Sequence, residues 1–327
     1  MHDEPRGDLP GPVEHPPVPA GSHPGPPTGP RDPGDAWAYG PDGRKAWGLF
    51  GAAGLLVDDG AGRVLLQHRV EWSHYGGTWG IPGGARHEGE DAVTGALRES
   101  AEEAAVPADA LRLRHTSELD LGFWTYTTVV ARADRPFDPV IGDRESLSLD
   151  WVAVDAVEAL PLHPGFGASW PGFRAALPSS PAVVVDAANV VGSVPDGWWR
   201  DRAGAAARLV DEIGGVARTG IPADEFALPF TTWWPAWTVV LEGDARATHA
   251  PVVPGPSGSA AASVDVVLAP GSGDDTIVAE TGRALASGHA PVLVVTADRE
   301  LRSRVEAFGA ATRGPSWLRE RFPSGRP

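Results

Sequence analysis

The stretch from Gly83 to Val106, GGARHEGEDAVTGALRESAEEAAV, constrains this chain more than any other. It opens on glycines, which permit tight turns, and passes into a proline-free segment rich in good helix formers. Late in that segment stand Arg98, Glu99, Glu102 and Glu103. Residues three and four apart share a helix face, so this spacing brings the carboxylates of Glu99, Glu102 and Glu103 to one patch. Like charges so placed raise one another's proton affinity unless a cation joins them. Hard divalent ions bind through oxygen and bridge to substrate phosphates. The competing reading of the same residues is a solvated acidic helix face.

The stretch resembles the Nudix box, G-x5-E-x7-R-E-U-x-E-E-x-G-U, where U is a bulky apolar residue. Gly84, Glu90, Arg98, Glu99, Glu102, Glu103 and Val106 fall in register, and Trp79-Gly80-Ile81-Pro82-Gly83-Gly84 is similar to the usual entry to that box. Two positions depart: Ser100 replaces the bulky apolar residue and Ala105 the late glycine. Ser100 would loosen helix packing, and Ala105 would strain the turn if a positive φ is needed there. Neither removes a carboxylate.

The resemblance covers residues 45–178 and implies an α/β/α sandwich around a mixed sheet. It implies hydrolysis of the pyrophosphate bond in a nucleoside diphosphate linked to another group, with Mg²⁺ or Mn²⁺ as cofactor. Metal contacts are expected at Gly83, Glu99, Glu102 and Glu103, the three glutamates being catalytic. Gly84, Glu90 and Arg98 are expected to shape the motif, Arg98 by orienting a carboxylate. Family members often carry a further acidic residue where this chain has Glu145, as a metal ligand or catalytic base; an exposed loop glutamate is the other reading. Arg69 is a candidate for a substrate phosphate, with a plain surface arginine as its alternative. Homodimers are common in the family, so a homodimer is a candidate assembly.

Length and charge bound the rest. The 327 residues suffice for two domains. A net charge of −16 argues against a broadly basic nucleic-acid-binding surface. There is no cysteine, which excludes disulfides, thiolate metal sites and cysteine nucleophiles. No apolar run spans the roughly 18 residues a membrane helix needs, and the N-terminus lacks a leader's apolar core, so a cytoplasmic protein is expected. Residues 1–44 are rich in Pro and Gly and are expected to form a disordered tail, with His2, His15 and His23 at irregular spacing. Strands are expected at Trp47–Val57, Arg63–Arg69, Leu111–Leu121, Gly122–Ala133 and Ser146–Val154, and a closing helix at Trp170–Leu177.

After the small-polar linker at Ser179 and Ser180 the pattern changes. The run PAVVVDAANVV reads as a strand buried on both faces, as in a parallel sheet. An alanine-rich helix follows from Arg200 to Ile213. Strands at Thr238–Leu241, Val264–Leu268 and Pro291–Thr296 alternate with helices at about 274–287 and 300–308. This alternation implies a mainly parallel, doubly wound sheet. Asp186, Asp274, Asp275 and Asp298 recur at strand ends on one edge, where ligands bind in such sheets. Asp274 and Asp298 also suit plain helix N-caps. With Asn189 and Thr296-Ala297-Asp298, the set resembles PIN-like nucleases of the NYN type over residues 181–327. That resemblance implies metal binding at Asp186, Asp274, Asp275 and Asp298, catalysis by Asp186 and Asp298, substrate contact at Asn189, and single-stranded RNA as a partner. Glu242 is a candidate fourth carboxylate. Trp198, Trp199, Trp233, Trp234 and Trp237 are either a base-stacking platform or, as favoured here, packing within the core or between domains. The alternative to two enzymes is a nucleotide-sensing N-terminal module that regulates the C-terminal one.

Overall fold

Two glycines divide the apolar run that begins at Trp47. Gly48 and Gly51 take φ +100° and +91°, a left-handed backbone that a side chain resists. The expected single strand is therefore two, and the first of them belongs to a hairpin. That hairpin is β1 (Trp37–Tyr39) paired antiparallel with β2 (Lys45–Trp47), and β3 (Ala52–Asp58) follows it. Trp37 meets Trp47 edge-on at 5.3 Å, and Lys45 Nζ sits 4.3 Å over the Trp37 ring. These contacts correct the expectation of a tail reaching residue 44, because aromatic packing offsets the cost of ordering so short a hairpin.

The structure is a computed structural model describing residues 34–41, 43–195, 197–247, 255–260 and 264–322. The rest of the expected tail, with His2, His15 and His23, lies outside the described residues.

After β3 come β4 (Arg63–Arg69), β5 (Trp79–Gly80), β6 (Gly83–Ala85), helix α1 (Ala92–Ala104), β7 (Leu111–Asp120), β8 (Thr125–Ala133), β9 (Ser146–Ala153) and helix α2 (Pro164–Ala176). The sheet is mixed: β3 runs parallel to β8, while β7–β8, β4–β9 and β3–β6 are antiparallel. Side chains alternate across β3, sending Leu55 and Val57 to one face and Leu56 to the other. Ala96, Leu97 and Ala104 of α1 pack on the first face, and Trp170 and Phe173 of α2 on the second. This is the α/β/α sandwich expected from the sequence.

The second half contributes β10 (Ala182–Asp186), α3 (Ala187–Gly192), α4 (Arg202–Thr219), β11 (Ile221–Pro222), β12 (Thr232–Trp233), β13 (Ala236–Leu241), β14 (Val264–Leu268), α5 (Gly273–Ala286), β15 (Val292–Val295), α6 (Arg299–Glu306), β16 (Ala311–Arg313) and α7 (Pro315–Arg319). Five of its strands form a parallel sheet in the order β14-β13-β10-β15-β16. The order reverses at β10, so that strand's C-terminal end faces a crevice. The helix expected to stop at Ile213 continues to Thr219 through Gly214 and Gly215, both buried. Packing there outweighs the weak helix propensity of glycine.

The division at residues 178–181 needs a correction. Strands β11 and β12 join the first sheet, not the second: Thr232 pairs with Thr116 and Trp233 with His115 of β7. Trp233 and Trp237 are fully buried, which settles those two tryptophans as packing. No helix among the described residues is long and apolar enough to cross a membrane.

Candidate active site

The β6–α1 turn is built around two glycines and one arginine. A Cβ on Gly83 would meet the Gly54 Cα at 2.4 Å and the Ala53 carbonyl oxygen at 2.5 Å, so that position passes β3 only as glycine, while one on Gly84 would press on the Glu99 carboxylate, 2.6 Å away. Arg98 Nε and Nη2 donate to Glu90 Oε1 and Oε2, each at 2.9 Å, and Nη2 also reaches the Ala85 carbonyl at 3.0 Å. The Arg98 hydrogen bonds hold the Glu90 carboxyl below the usual carboxylate range. Glu90 in turn accepts from the His87 N–H at 3.0 Å. Glu90 and Arg98 thus tie the loop to α1.

The three box carboxylates lie in different surroundings. Glu99 Oε1 accepts from Arg98 Nη1 at 2.7 Å, and burial raises its pKa against that pairing. Glu102 lies 3.5 Å from Arg98 Nη1 and is 62% exposed. Glu103 is buried, with Oε2 accepting from the Gly83 N–H at 2.9 Å and from Gln67 Nε2 at 3.4 Å. Burial, then the Asp143 charge, pushes the Glu103 pKa well above the ordinary range.

Glu103, Asp143 and Glu145 bring carboxylate oxygens within 4.8 Å of one another, the only such group among the described residues. The box trio does not form one. Glu99 and Glu102 lie outside that group, and Asp143 is a member that sequence reasoning missed. Its signal was its place two residues before Glu145 at the entry to a strand. Asp143 Oδ1 accepts from the Glu145 N–H and from Ser146 Oγ, both at 3.1 Å, and Ser146 Oγ accepts from Gln67 Nε2 at 2.9 Å. Gln67 of β4 thereby ties this loop to Glu103. Arg69 Nη2 lies 3.8 Å from Glu145 Oε2, so the arginine faces the carboxylates. Gly83 donates its N–H to Glu103 and so acts through that carboxylate. An all-oxygen set of three carboxylates fits a hard divalent cation such as Mg²⁺ or Mn²⁺.

Residues 48–170 match the family model described as NUDIX domain. Two Mycobacterium tuberculosis proteins, from strains CDC 1551 / Oshkosh and ATCC 25618 / H37Rv, are each 48% identical over 166 residues. The match spans 48% of this chain and 76% of theirs, and both are named "Putative 8-oxo-dGTP diphosphatase 3". The chain belongs to the Nudix family. A Bifidobacterium longum protein named "Nucleoside triphosphate pyrophosphatase/Nudix hydrolase fusion protein" is 42% identical over 153 residues, spanning 44% of this chain and 32% of that one. The crystal structure of a Nudix hydrolase from M. smegmatis, RenU, is 47% identical and covers 43% of this chain and 94% of its own, with a TM-score of 0.40.

Both departures from the Nudix box have structural outcomes. Ala105 caps α1 with φ 51° and ψ 34°, the left-handed conformation that the usual glycine adopts without cost. Ser100 is fully buried, and its hydroxyl donates to the Leu97 carbonyl at 3.1 Å, which satisfies the polar group within the helix.

The C-terminal edge gathers part of what its sequence promised. Asp186, Asn189, Glu242, Asp274 and Asp298 line one cavity of about 250 Å³. Asp186 Oδ2 accepts from Thr296 Oγ1 at 2.8 Å and its Oδ1 from the Asn189 N–H at 3.0 Å. Asn189 Oδ1 accepts from the Ala297 N–H at 2.8 Å. Burial raises the Asp186 pKa, as it does that of Asp274. Asp298 Oδ1 also caps α6 at the Leu301 N–H, 2.8 Å away. Glu242 Oε2 accepts from the Gly273 N–H at 2.8 Å and so closes the start of α5. Asp275 is not among the cavity's lining; it pairs with Arg304 Nη2 at 2.6 Å. One helical position separates it from Asp274, and that step turns it about 100° away.

Proposed function

We propose that this chain hydrolyses the pyrophosphate bond of a nucleoside diphosphate linked to another group, nucleoside triphosphates included, with Mg²⁺ or Mn²⁺. The observation that carries the reading is the buried Glu103 grouped with Asp143 and Glu145 beside Arg69. Those three carboxylates would hold the cation, with Glu99 and Glu102 at the rim. When bound, the ion neutralises phosphate charge and lowers the pKa of water. Arg69 takes a phosphate oxygen. Glu145, 37% exposed, is placed to accept a proton from the attacking water. Gly83 and Arg98 hold Glu103 and Glu99 in position.

A ring-rich wall favours a nucleoside as the rest of the substrate. Trp37 lies 6.1 Å from His74, His74 lies 4.3 Å from Tyr75, and Tyr75 lies 4.8 Å from His163. Arg69 Nε donates to the His74 carbonyl at 3.3 Å, so this wall adjoins the carboxylates. Burial, then Arg69, lowers the His163 pKa to about 4, which leaves a neutral ring; its Nδ1 accepts from the Gly165 N–H at 3.2 Å, so its Nε2–H is the donor left for a base edge. The mycobacterial relatives' names make an oxidised purine nucleoside triphosphate the first member of the panel to test. Mass spectrometry of products from a nucleotide panel checks the proposal. Glu103→Gln is expected to lower turnover by a factor on the order of 10² or more. Full turnover by that variant would sink the assignment. Nucleotide binding with no product from the wild type would instead support a sensor.

A second reading rests on the cavity that Asp186, Glu242, Asp274 and Asp298 share: metal-dependent cleavage of single-stranded RNA, as in PIN-like NYN nucleases. RNA cleavage that survives Asp186→Asn together with Asp298→Asn counts against it.

A further inference from the structure

A cavity of about 230 Å³ opens where the two halves meet, far from both carboxylate groups. Asp58, beside it, stands four residues along β3 from Gly54, which pairs with Gly83 of the hydrolase site, a separation of about 13 Å. The cavity's polar wall holds Arg112, Arg114 and Arg132, and its apolar wall includes Trp234, Pro235 and Pro181.

The charges there do not balance. Arg114 Nη1 and Arg132 Nε bind the two oxygens of Asp58, each at 3.0 Å, so one carboxylate serves two guanidiniums. Arg112 takes Asp134 for itself at 2.9 Å. Three cations thus face two anions, on a chain whose net charge is −16. Arg114, only 8% exposed, keeps Asp58 as its buried partner, so the surplus charge falls on Arg132, which is 43% exposed at the cavity mouth. The outer nitrogen Nη2 of Arg114 donates to the Ser179 carbonyl in the linker between the halves. Ser259, also in the lining, is buried, with its hydroxyl turned in against Gly255. Surplus guanidinium charge and walls of Trp and Pro together suit a compact oxyanion; phosphate matches the guanidinium fork.

We propose that this cavity binds a small phosphate-bearing anion at the junction of the two halves. The anion would cancel the surplus charge. It would also tie β7 and β8 to the linker and to the 255–260 segment, whose Ala260 N–H already donates to the Leu111 carbonyl at 2.8 Å. Free inorganic phosphate, pyrophosphate and the phosphate end of a nucleoside monophosphate share the required chemistry.

Isothermal titration calorimetry of the full chain in EDTA separates this site from the metal-dependent one. The probes are those three anions at matched ionic strength, with chloride as control. One saturable site is expected, weakened about tenfold or more in Arg132→Gln. Binding is expected to persist in Glu103→Gln and in the distant Arg283→Gln. The anion that binds most tightly names the source. No saturable binding at millimolar anion, or binding unchanged in Arg132→Gln, overturns the proposal, as does an equal loss in Arg283→Gln. Thermal melting of each variant confirms that it is folded.

Discussion

Ala105 carries a cost the rest of the Nudix box avoids. A non-glycine residue in the left-handed region loses about 1–2 kcal/mol to contact between its Cβ and the backbone. Glycine would remove that clash while adding chain entropy to the unfolded state. Ala105→Gly is therefore expected to stabilise the protein by up to about 1 kcal/mol, read by urea unfolding. A loss of stability would mean that the Ala105 methyl makes packing contacts worth more than the strain. Glu103 shows the opposite economy: its burial disfavours the charge that a cation needs. At this scale the sequence was highly informative where chemistry is local. The register of Glu90, Arg98, Glu99 and Glu103 could be read directly, and so could the risk at Ala105. Asp143 could not, because its proximity to Glu103 depends on a loop carried in by β9 and tied down by Gln67.

Between elements, the informative contact is the β7–β12 junction. His115 of β7 is fully buried, stacked on Trp233 at 4.2 Å and on Phe230 at 4.8 Å, and neither ring nitrogen has a partner among the described residues. Burial, then the Arg114 charge, depresses its pKa from 6.5 to about 3. The folded state therefore holds a neutral ring where the unfolded chain takes a proton. Its share of stability is complete above pH 6.5 and is lost as the pH falls toward about 3. The loss approaches about 1.4 kcal/mol per pH unit within that window. His115→Phe keeps the stack and removes the titration, so its unfolding free energy is expected to fall less steeply from pH 6.5 down to about 3, measured by denaturant titration at several pH values. Parallel pH profiles for the two proteins would refute this account. Strands β11 and β12 were illegible in the sequence for a physical reason. Two residues have no periodicity, and β12, through which β11 joins the sheet, pairs with β7 more than a hundred positions away. Long strands such as β8 and the apolar β10 were legible because burial dictates their composition.

Across the whole molecule, that junction makes the halves one unit. Trp233 and Ile221 belong to the apolar core of the second half while their strands extend the sheet of the first. Phe230 packs against cores in both halves. Calorimetry is expected to show one cooperative unfolding transition, and Trp233→Ala to cost about 3–5 kcal/mol and split it. Two transitions in the wild type would show that the halves unfold independently. The shared sheet also gives the interdomain cavity its walls. It leaves the two carboxylate-bearing sites at separate places, one at the β6–α1 turn and one at the C-terminal edge of the parallel sheet.

We propose that Glu103, Asp143 and Glu145 form the hydrolase's cation site. Mn²⁺ titration followed by electron paramagnetic resonance, comparing the wild type with Asp143→Asn, tests it most directly. Asp143 lies outside the Nudix box, so its effect cannot follow from the motif alone. At least about a tenfold loss of Mn²⁺ affinity is expected in Asp143→Asn, with the fold intact by circular dichroism. Unchanged affinity in Asp143→Asn, with a loss in Glu99→Gln or Glu102→Gln instead, would contradict it and return the cation to the box trio.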